Sequence, residues 1–297
     1  MSYKAGFVGL VGRPNAGKST LVNYLIGEKV GIVTRKPQTT RQKVLGVYTD
    51  EKMQAVFVDA PGKVQADSGL NLFLKQELET VISDSDVLLL VVSVDEKSPE
   101  KIDDMIEMVV ASKKPWVALI NKVDMSQYRH RVQIIKDKLS ALNVPVFTGS
   151  AKKVDRFKDP LFEALNERLP ETKAPLFDKE IYTTQNMREY ASEIIREKCF
   201  LSLHQEIPYG LAVKIIKFVE NEGPTVKIFA EILLNKENHR PMVVGSGGTS
   251  LRRIGTASRK ELEKVLGRKV FLDLHVRVKK GWVSDERTMM ELGYVAQ

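Results

Sequence analysis

The sequence predicts an α/β domain, built on a mostly parallel sheet with helices on both faces, followed by a smaller α+β domain. Over residues 1–170, apolar strand segments alternate with amphipathic helices, the pattern of a sheet covered on both sides. Most of these strand segments are apolar throughout, as buried parallel strands are. Beyond Pro170 and Pro175 the order changes to helix, strand, strand, helices, strand.

The element boundaries divide the chain into a first domain at 1–170, a linker at 171–182 and a second domain with a C-terminal tail at 183–297. The strands predicted in the first domain are Lys4–Val11, Val44–Tyr48, Gln54–Asp59, Val87–Val94, Trp116–Asn121 and Val144–Thr148. Its predicted helices are Lys18–Ile26, Leu70–Ile82, Lys101–Ala111, Tyr128–Leu142 and Pro160–Leu169. The second domain has predicted helices at Met187–Leu203 and Thr249–Leu266, and predicted strands at Gly210–Glu220, Thr225–Leu234 and Val270–Val278. A hairpin turn is expected at Asn221–Pro224.

The composition is that of a folded protein, with 43% hydrophobic and 28% charged residues. A single cysteine, Cys199, excludes an intramolecular disulfide and favours a reducing compartment. The longest apolar run, Val87–Val92, is far shorter than a bilayer span, and the N-terminus does not have the pattern of a signal peptide. We therefore expect a cytoplasmic protein, at most peripheral at the inner face of the cell membrane.

The net charge of +8 is concentrated in one stretch of the second domain. Residues 251–280 contain ten Lys and Arg residues against Glu261, Glu263 and Asp273. A solvated helix face usually alternates in sign, whereas a one-signed cluster favours a polyanion. Nucleic acid is the first candidate and an anionic membrane surface the second.

A phosphate-binding loop is predicted between the first strand and the first helix. The pattern G-x-x-x-x-G-K-[ST] is matched by Gly12, Gly17, Lys18 and Ser19. Backbone N–H groups and the helix N-terminus favour phosphate, Lys18 adds a charge at the β- and γ-phosphates, and Ser19 offers a hydroxyl to Mg²⁺. The predicted phosphate-binding residues are Gly12, Arg13, Pro14, Asn15, Ala16, Gly17, Lys18, Ser19 and Thr20.

Two further segments predict a nucleotide-responsive magnesium site. Asp59 ends the third strand in the pattern D-x-x-G, where a P-loop protein holds Mg²⁺, here through a water, and the Gly62 N–H would then sense the γ-phosphate. The polar segment Thr34–Arg41 has no strand periodicity and is expected to be a mobile switch loop. We expect Thr40 to close on Mg²⁺ and the γ-phosphate, with Thr39 as the alternative.

The segment Asn121-Lys122-Val123-Asp124 predicts that the base is guanine. A carboxylate at Asp124 can accept from both guanine N1–H and the exocyclic amine, a donor pair that adenine lacks. After the sixth strand, Ser150, Ala151 and Lys152 offer a backbone N–H to guanine O6. The predicted ligands are therefore GTP and GDP.

With these segments in this order, the first domain resembles the GTPases of the translation-factor-related class. G-R-P-N-A-G-K-S-T and P-Q-T-T-R resemble the Era-like family of bacterial GTPases, and the likeness covers essentially the whole chain. Val243–Gly248, followed by Leu251 and Ile254, resembles the G-x-x-G core of a KH domain, and Gly281-Trp282 with Asp285–Arg287 and Leu292–Tyr294 resembles the tail of that family.

The resemblance implies a type II KH domain that takes single-stranded RNA across its G-x-x-G loop. It further implies binding to the 3′ end of small-subunit ribosomal RNA, a role in assembly of that subunit, contact with the membrane surface, and a monomer. The RNA-binding residues carried over are Gly245, Ser246, Gly247, Gly248, Arg252 and Arg253.

Three positions need separate interpretation. The pair Ser246-Gly247 lacks the basic residue that KH loops often carry, so weaker RNA affinity is a hypothesis. Lys63 stands where many GTPases have a water-orienting glutamine; a surface lysine is the simpler interpretation, and a charge-stabilising cation is the alternative. Asn15 resembles the asparagine that holds K⁺ in related enzymes, but an asparagine that only fits the turn explains it equally well.

Two functions from different classes follow. The first is an enzyme that slowly hydrolyses GTP to GDP and phosphate, with Lys18, Thr40 and Gly62 as catalytic groups. The second is a nucleotide-gated RNA clamp or chaperone in which hydrolysis contributes little to function. Lys63 supports this alternative because it stands where many GTPases have a water-orienting glutamine.

Overall fold

The computed structural model describes residues 2–34, 36–64, 68–153, 156–203, 206–220 and 223–294. The chain divides into two compact units. The first comprises Met1–Ala66 and Leu74–Thr184, and the second comprises Asp67–Phe73 and Gln185–Gln297.

The first unit contains the predicted alternation of strands and helices. Its strands are β1 (Tyr3–Val11), β2 (Val44–Thr49), β3 (Met53–Asp59), β4 (Val87–Ser93), β5 (Trp116–Asn121), β6 (Val146–Thr148) and β7 (Glu171–Thr172). Its helices are α1 (Lys18–Ile26), α2 (Gly69–Asp84, from Leu74 onward in this unit), α3 (Pro99–Ala111), α4 (Arg129–Ser140) and α5 (Lys158–Arg168).

The sheet order is β2-β3-β1-β4-β5-β6, with β7 paired to β1. Pairs from β3 to β6 are parallel, whereas β2 runs antiparallel to β3. Within β4, Leu89 and Val91 pack with α1 and α5 on one face, and Leu88 and Leu90 pack with α3 and α4 on the other. Because both faces are covered, the strands are apolar throughout, and their carboxyl ends meet at one edge of the sheet.

The stretch 171–182, predicted as a linker, is attached to the sheet of the first unit. Glu171 and Thr172 form β7, antiparallel to the start of β1. The Gln54 side chain exchanges hydrogen bonds of 2.9 and 2.8 Å with the backbone of Phe177, and the Val47 N–H donates to the Tyr182 carbonyl at 2.9 Å. Pro170 follows the end of α5, but the residues after it still pair with strand backbones. The two units divide between Thr184 and Gln185.

The second unit has the predicted order of helix, two strands, helices and strand. Its elements are α6 (Met187–Ser202), β8 (Leu211–Val219), β9 (Thr225–Leu234), α7 (Arg240–Val244), α8 (Thr249–Leu266), β10 (Lys269–Val278) and α9 (Glu286–Glu291). The sheet order is β10-β9-β8, with β9 parallel to β10 and antiparallel to β8. In the predicted hairpin turn, Asn221 and Glu222 lie outside the described residues. Over the described parts of the chain, no helix is both long and apolar enough to cross a bilayer.

The core of the second unit lies between its sheet and the helices α6 and α8. Ile195 and Cys199 of α6 and Ile254 of α8 pack against Ile232 of β9, all fully buried. Burial raises the pKa of the Cys199 thiol to about 12, so this group stays protonated and serves as a small apolar core residue.

Candidate nucleotide and RNA sites

The phosphate-binding loop joins β1 to α1 at the carboxyl edge of the sheet. At Gly12 a Cβ would lie 2.5 Å from the Val91 carbonyl oxygen, so a side chain has no room there. The Lys18 ammonium lies over the loop and donates to the carbonyls of Gly12 at 3.0 Å and Arg13 at 3.3 Å. Burial lowers the pKa of Lys18 to about 8, although the nearby Asp59 opposes the shift. The loop thus presents one buried ammonium where phosphate oxygens would bind.

Three oxygen-bearing side chains converge beside this loop. Ser19 Oγ donates to Asp59 Oδ2 at 2.5 Å and lies 2.9 Å from Thr40 Oγ1, which itself donates to the same carboxylate oxygen at 3.2 Å. Asp59 is 1% exposed, and its other oxygen, Oδ1, has no hydrogen-bond partner among the described residues. Burial raises the pKa of this carboxyl group. A hard-cation donor set with one unsatisfied buried oxygen fits Mg²⁺.

Thr40 and Thr39 differ in what their hydroxyls contact. The Thr39 hydroxyl lies 2.6 Å from Thr34 Oγ1 and donates to the Lys36 carbonyl at 2.7 Å, within its own loop. Of the two threonines, Thr40 is therefore the one beside Ser19 and Asp59. Arg35 of this loop lies outside the described residues.

The segment after β3 lies directly against the phosphate-binding loop. A Cβ at Gly62 would lie 2.5 Å from the Pro14 nitrogen, so only glycine allows this approach. The next residue, Lys63, has a side chain only 24% exposed, and its Nζ lies 3.7 Å from Asp104 Oδ2 of α3. The lysine thus lies at the protein surface in an ion pair with the half-exposed Asp104, which directs its ammonium toward α3.

Asn121 connects three segments of the nucleotide site. Its amide nitrogen donates to the Ala16 carbonyl at 2.9 Å, and its amide oxygen accepts from the N–H groups of Lys122 at 2.8 Å and Ala151 at 3.1 Å. The side chain is 1% exposed. The close approach of the Asn121 amide requires glycine at position 17, because a Cβ there would lie 2.4 Å from the amide nitrogen. Asn121 is therefore a positioning residue for both the phosphate loop and the base-binding segments.

The predicted guanine contacts lie around Asn121. Asp124 is exposed, and within the described parts of the chain its carboxylate has no hydrogen bond or ion pair. Ser150 is buried, whereas Lys152 is exposed and its N–H donates to Ser150 Oγ at 3.3 Å. The exposed Asp124 carboxylate is thus available to a base, while Ser150 shapes the turn.

One residue of this site was not predicted from the sequence. Asp95 accepts from the Lys122 ammonium at 3.1 Å through both carboxylate oxygens, and from the Ser93 hydroxyl. Burial opposes ionisation, but hydrogen bonds from Ser93 and Lys122 hold the pKa of Asp95 below its usual value. No sequence pattern indicates the contact between Asp95 and Lys122, because it depends on the pairing of β4 with β5, which sets Ser93 opposite Asn121.

The predicted RNA-binding loop lies between α7 and α8. Gly245, Gly247 and Gly248 have φ angles of 75°, 57° and 77°, and the Gly248 N–H donates to the Gly245 carbonyl at 3.1 Å. A Cβ at Gly245 would meet the Ser250 nitrogen at 2.8 Å, whereas positions 247 and 248 have open space around them. The exposed Ser246-Gly247 backbone precedes α8, an arrangement that suits a nucleic-acid phosphate.

The two arginines assigned to RNA binding have different surroundings. Arg253 donates from Nη2 to the Ser202 carbonyl at the end of α6, at 3.1 Å. Arg252 is exposed, and within the described residues no hydrogen bond or ion pair occupies its guanidinium. Arg252 is the cation at the start of α8 that can reach a ligand without giving up an internal contact.

Comparison with known proteins identifies both halves of the chain. The family model described as 50S ribosome-binding GTPase matches residues 7–122, and the KH domain model matches residues 206–283. GTPase Era of Geobacter metallireducens is 38% identical over 298 residues, covering 98% of each protein. The chain belongs to the GTPase Era family. GTPase Era of Coxiella burnetii is 37% identical over 294 residues, covering 97% of each protein.

Solved Era structures match the whole architecture. A point variant of Aquifex aeolicus Era bound to GDP.AlF4- superposes with a TM-score of 0.90 at 31% identity, covering 98% of this chain and 99% of that one. Era in complex with MgGDPNP and nucleotides 1506-1542 of 16S ribosomal RNA superposes with a TM-score of 0.92 at 31% identity, covering 99% of each. These relationships confirm the predicted resemblance, the P-loop fold followed by a KH domain, and GTP hydrolysis as the enzymatic activity.

Proposed function

We propose that this Era-family GTPase binds the 3′ end of small-subunit ribosomal RNA through its KH domain and acts in assembly of that subunit. The observation that carries the proposal is the similarity, at a TM-score of 0.92, to an Era that holds MgGDPNP and a 3′ fragment of 16S ribosomal RNA. The glycine loop at 245–248, the exposed Arg252 and the basic stretch 251–280 support it in this chain. The cytoplasm, as the site of action, follows from the proposed ribosomal partner.

The nucleotide site would hold Mg²⁺ through Ser19 and Thr40, with Asp59 acting through a water. When bound, the ion supplies charge neutralisation at the β- and γ-phosphate oxygens. The Oδ1 atom of Asp59, buried and unpaired within the described residues, is the acceptor left for such a water. Ser19 and Thr40 would exchange their present hydrogen bonds to Asp59 for the ion, so nucleotide binding would change the contacts that hold the Thr40 loop.

The hydrolytic step depends on positioning and charge. Lys18 would stabilise the negative charge that builds on the phosphate oxygens, and the Gly62 N–H would donate to the γ-phosphate. A water oxygen then bonds to the γ-phosphorus as the bond to the β-phosphate oxygen breaks, and the water gives up a proton to a γ-phosphate oxygen, giving GDP and phosphate. Lys63 is paired with Asp104 and supplies no proton acceptor, so slow intrinsic turnover is expected.

Asn15 is proposed as a position where K⁺ could accelerate this step. Its φ of 65° is one that asparagine tolerates, so the turn alone accounts for the residue type, while its exposed side chain leaves the amide oxygen accessible to an ion. The variant Asn15→Gly keeps the backbone conformation and removes that oxygen. If K⁺ acts here, turnover in K⁺ exceeds turnover in Na⁺ for the parent protein only; equal rates in both salts would reject K⁺ and leave the turn-forming role.

Single-turnover hydrolysis of GTP, with and without an RNA of the 1506-1542 sequence, tests the proposed function. We expect RNA to accelerate hydrolysis and GTP to change RNA affinity. The reason is that the Thr40 and Gly62 loops respond to the γ-phosphate, and we propose that their response changes the access of the KH domain to RNA. The second candidate function, a nucleotide-gated RNA clamp, is favoured by the Lys63–Asp104 pair. A bound-state rate no faster than that of free GTP in solution would support the clamp instead.

Membrane contact through the 251–280 stretch and a monomeric state complete the proposal. KH geometry already accounts for the basic charge of α8, so RNA takes precedence over an anionic membrane surface as its partner. Co-sedimentation with vesicles that contain anionic lipid, measured with and without competing RNA, tests the membrane contact. Sedimentation velocity tests the monomer.

A further inference from the structure

The three-stranded sheet of the second unit has one face that α6 and α8 do not cover. Along β9 and β10, alternate residues such as Ile228 and Leu272 pack toward α6 and α8. The residues between them point to the opposite face, because successive side chains of a strand alternate. Phe229 and Phe271 are on this outer face, and β8 adds Ile216 at a bulge, where its side chain is 49% exposed.

Two aromatic rings on this outer face are accessible. The ring centroids of Phe229 and Phe271 lie 5.9 Å apart with an interplanar angle of 57°, and Phe271 is 51% exposed. Cross-strand pairing holds both rings on regular backbone, so they are rigidly placed. Strands that pack on one side usually carry polar residues on the other, so an aromatic pair here, with Phe271 exposed and Phe229 partly exposed, indicates a ligand.

Three lysines flank the aromatic pair. Lys217 of β8 is opposite Phe229 in the strand register, Lys227 of β9 is opposite Phe271, and Lys269 precedes Phe271 by two residues on the same face. All three are exposed, and within the described residues none has a hydrogen bond or ion pair. They present unneutralised positive charge around the two rings.

The acidic residues of the same face are already engaged. Asp273 Oδ2 lies 3.2 Å from His275 Nε2, and Glu231 Oε2 lies 3.7 Å from Arg277 Nη1. Each of these two carboxylates has a basic side chain beside it, whereas within the described residues the three lysines have no acidic partner.

The C-terminal helix limits the accessible area to one end of the sheet. Glu291 of α9 pairs with Lys214 of β8 at 3.1 Å, and Leu233 of β9 is only 7% exposed. The open end therefore contains the aromatic pair and the three lysines, which together we call the strand platform: Phe229, Phe271, Lys217, Lys227 and Lys269.

We propose that the strand platform binds unpaired bases of RNA, as a second contact apart from the glycine loop at 245–248. Exposed rings accept the π-faces of bases of any identity, and lysines beside them neutralise backbone phosphates. A single strand can follow the three lysines at the open end of the sheet. A flat anionic membrane would also meet the carboxylates of Asp273, which is opposite Phe229, and of Glu231. The inference rests on the RNA-binding function proposed above and adds a second site to it.

Substitutions at Phe271 separate stacking from general apolar contact. We expect Phe271→Leu to weaken binding of the 1506-1542 RNA about fivefold or more, measured by fluorescence anisotropy on the full chain, because base stacking on one ring is lost. Phe271→Trp, which keeps an aromatic face, retains the affinity. Ile134→Ser is the matched control in the first unit, since Ile134 is an apolar side chain with 65% exposure.

The lysines are tested through the salt dependence of RNA affinity. With Lys217, Lys227 and Lys269 all changed to Gln, the slope of log affinity against log salt falls by about 2, because each phosphate contact to a single strand contributes about 0.7. The control is the triple Gln variant at the exposed first-unit lysines Lys113, Lys173 and Lys179. An unchanged slope in the platform variant would overturn the proposal.

The variant Gly247→Asp distinguishes failure of this inference from failure of the proposed function. Aspartate tolerates the φ of 57°, a Cβ there meets nothing within 4 Å, and the carboxylate repels phosphate at the glycine loop. If Gly247→Asp weakens RNA binding and Phe271→Leu does not, the strand platform is rejected and the KH function stands. If the parent chain does not bind this RNA, both fail. Loss of binding to anionic vesicles at unchanged RNA affinity in the Phe271→Leu variant would assign the strand platform to a membrane and also reject the proposal.

Discussion

Replacing Asn121 by aspartate tests whether one buried amide holds the nucleotide site together. The change keeps the shape of the side chain and the oxygen that accepts from Lys122 and Ala151, but it removes the N–H donated to the Ala16 carbonyl at 2.9 Å. That carbonyl would face a second acceptor inside a site where residue 121 is 1% exposed.

The expected loss is the cost of leaving the buried Ala16 carbonyl without its donor, about 1–3 kcal/mol. We therefore expect GDP affinity to fall about 5- to 150-fold.

Equilibrium titration with a fluorescent GDP analogue measures this change. Asn143→Asp is the control, because Asn143 is exposed, with a φ of 54° that aspartate also tolerates, and it undergoes the same chemical change. An Asn121→Asp affinity within about threefold of the parent would refute the reasoning, since it would mean that the Ala16 contact contributes less than about 1 kcal/mol.

Four further outcomes follow from individual contacts. Because burial lowers the pKa of Lys18 to about 8, the unliganded protein must take up a proton to bind phosphate above that pH; GDP affinity should fall about tenfold from pH 7 to 9, and a flat titration would contradict this. Gly62→Ala should slow single-turnover hydrolysis, by up to about 100-fold, at nearly unchanged GDP affinity, since its Cβ would displace the segment from Pro14. Asn186→Ala should lower the free energy of unfolding of the second unit by about 1 kcal/mol in urea, with Asn186→Ser retaining most of it, because Asn186 caps α6 by accepting from the Glu189 N–H at 3.0 Å. Gly247→Lys should raise RNA affinity and steepen its salt dependence by about 0.7, whereas no gain would reject the hypothesis that the glycine loop lacks a phosphate contact.

Local patterns in the sequence determined the elements and the chemistry of the phosphate site. The helix Lys18–Ile26, the strand Trp116–Asn121 and the strand Thr225–Leu234 were predicted with the bounds that the structure has. Buried parallel strands are apolar throughout, and a P-loop is a contiguous segment, so both leave their pattern within a few neighbouring residues. The helix α7 and the two-residue strand β7 were missed because elements this short have no periodicity to detect.

Only the tertiary structure decided which of these segments touch. Asn121 reaches Ala16 across 105 positions of sequence, and Lys122 reaches Asp95 across 27, because the pairing of adjacent strands brings the ends of β1, β4 and β5 to one edge. The choice of Thr40 over Thr39 at the Ser19–Asp59 cluster also depends on the path of a loop without regular structure.

The strand platform in the second unit shows the same difference between what the sequence determines and what the tertiary structure determines. Alternation along β9 and β10 places Phe229 and Phe271 on the same face as lysines of their own strands. It could not show that Lys217 joins them, since a bulge between Ile215 and Lys217 resets the register of β8. Sequence periodicity thus determines the face on which a side chain lies, whereas its neighbours across the sheet are determined by strand register, which depends on the packing of the whole domain.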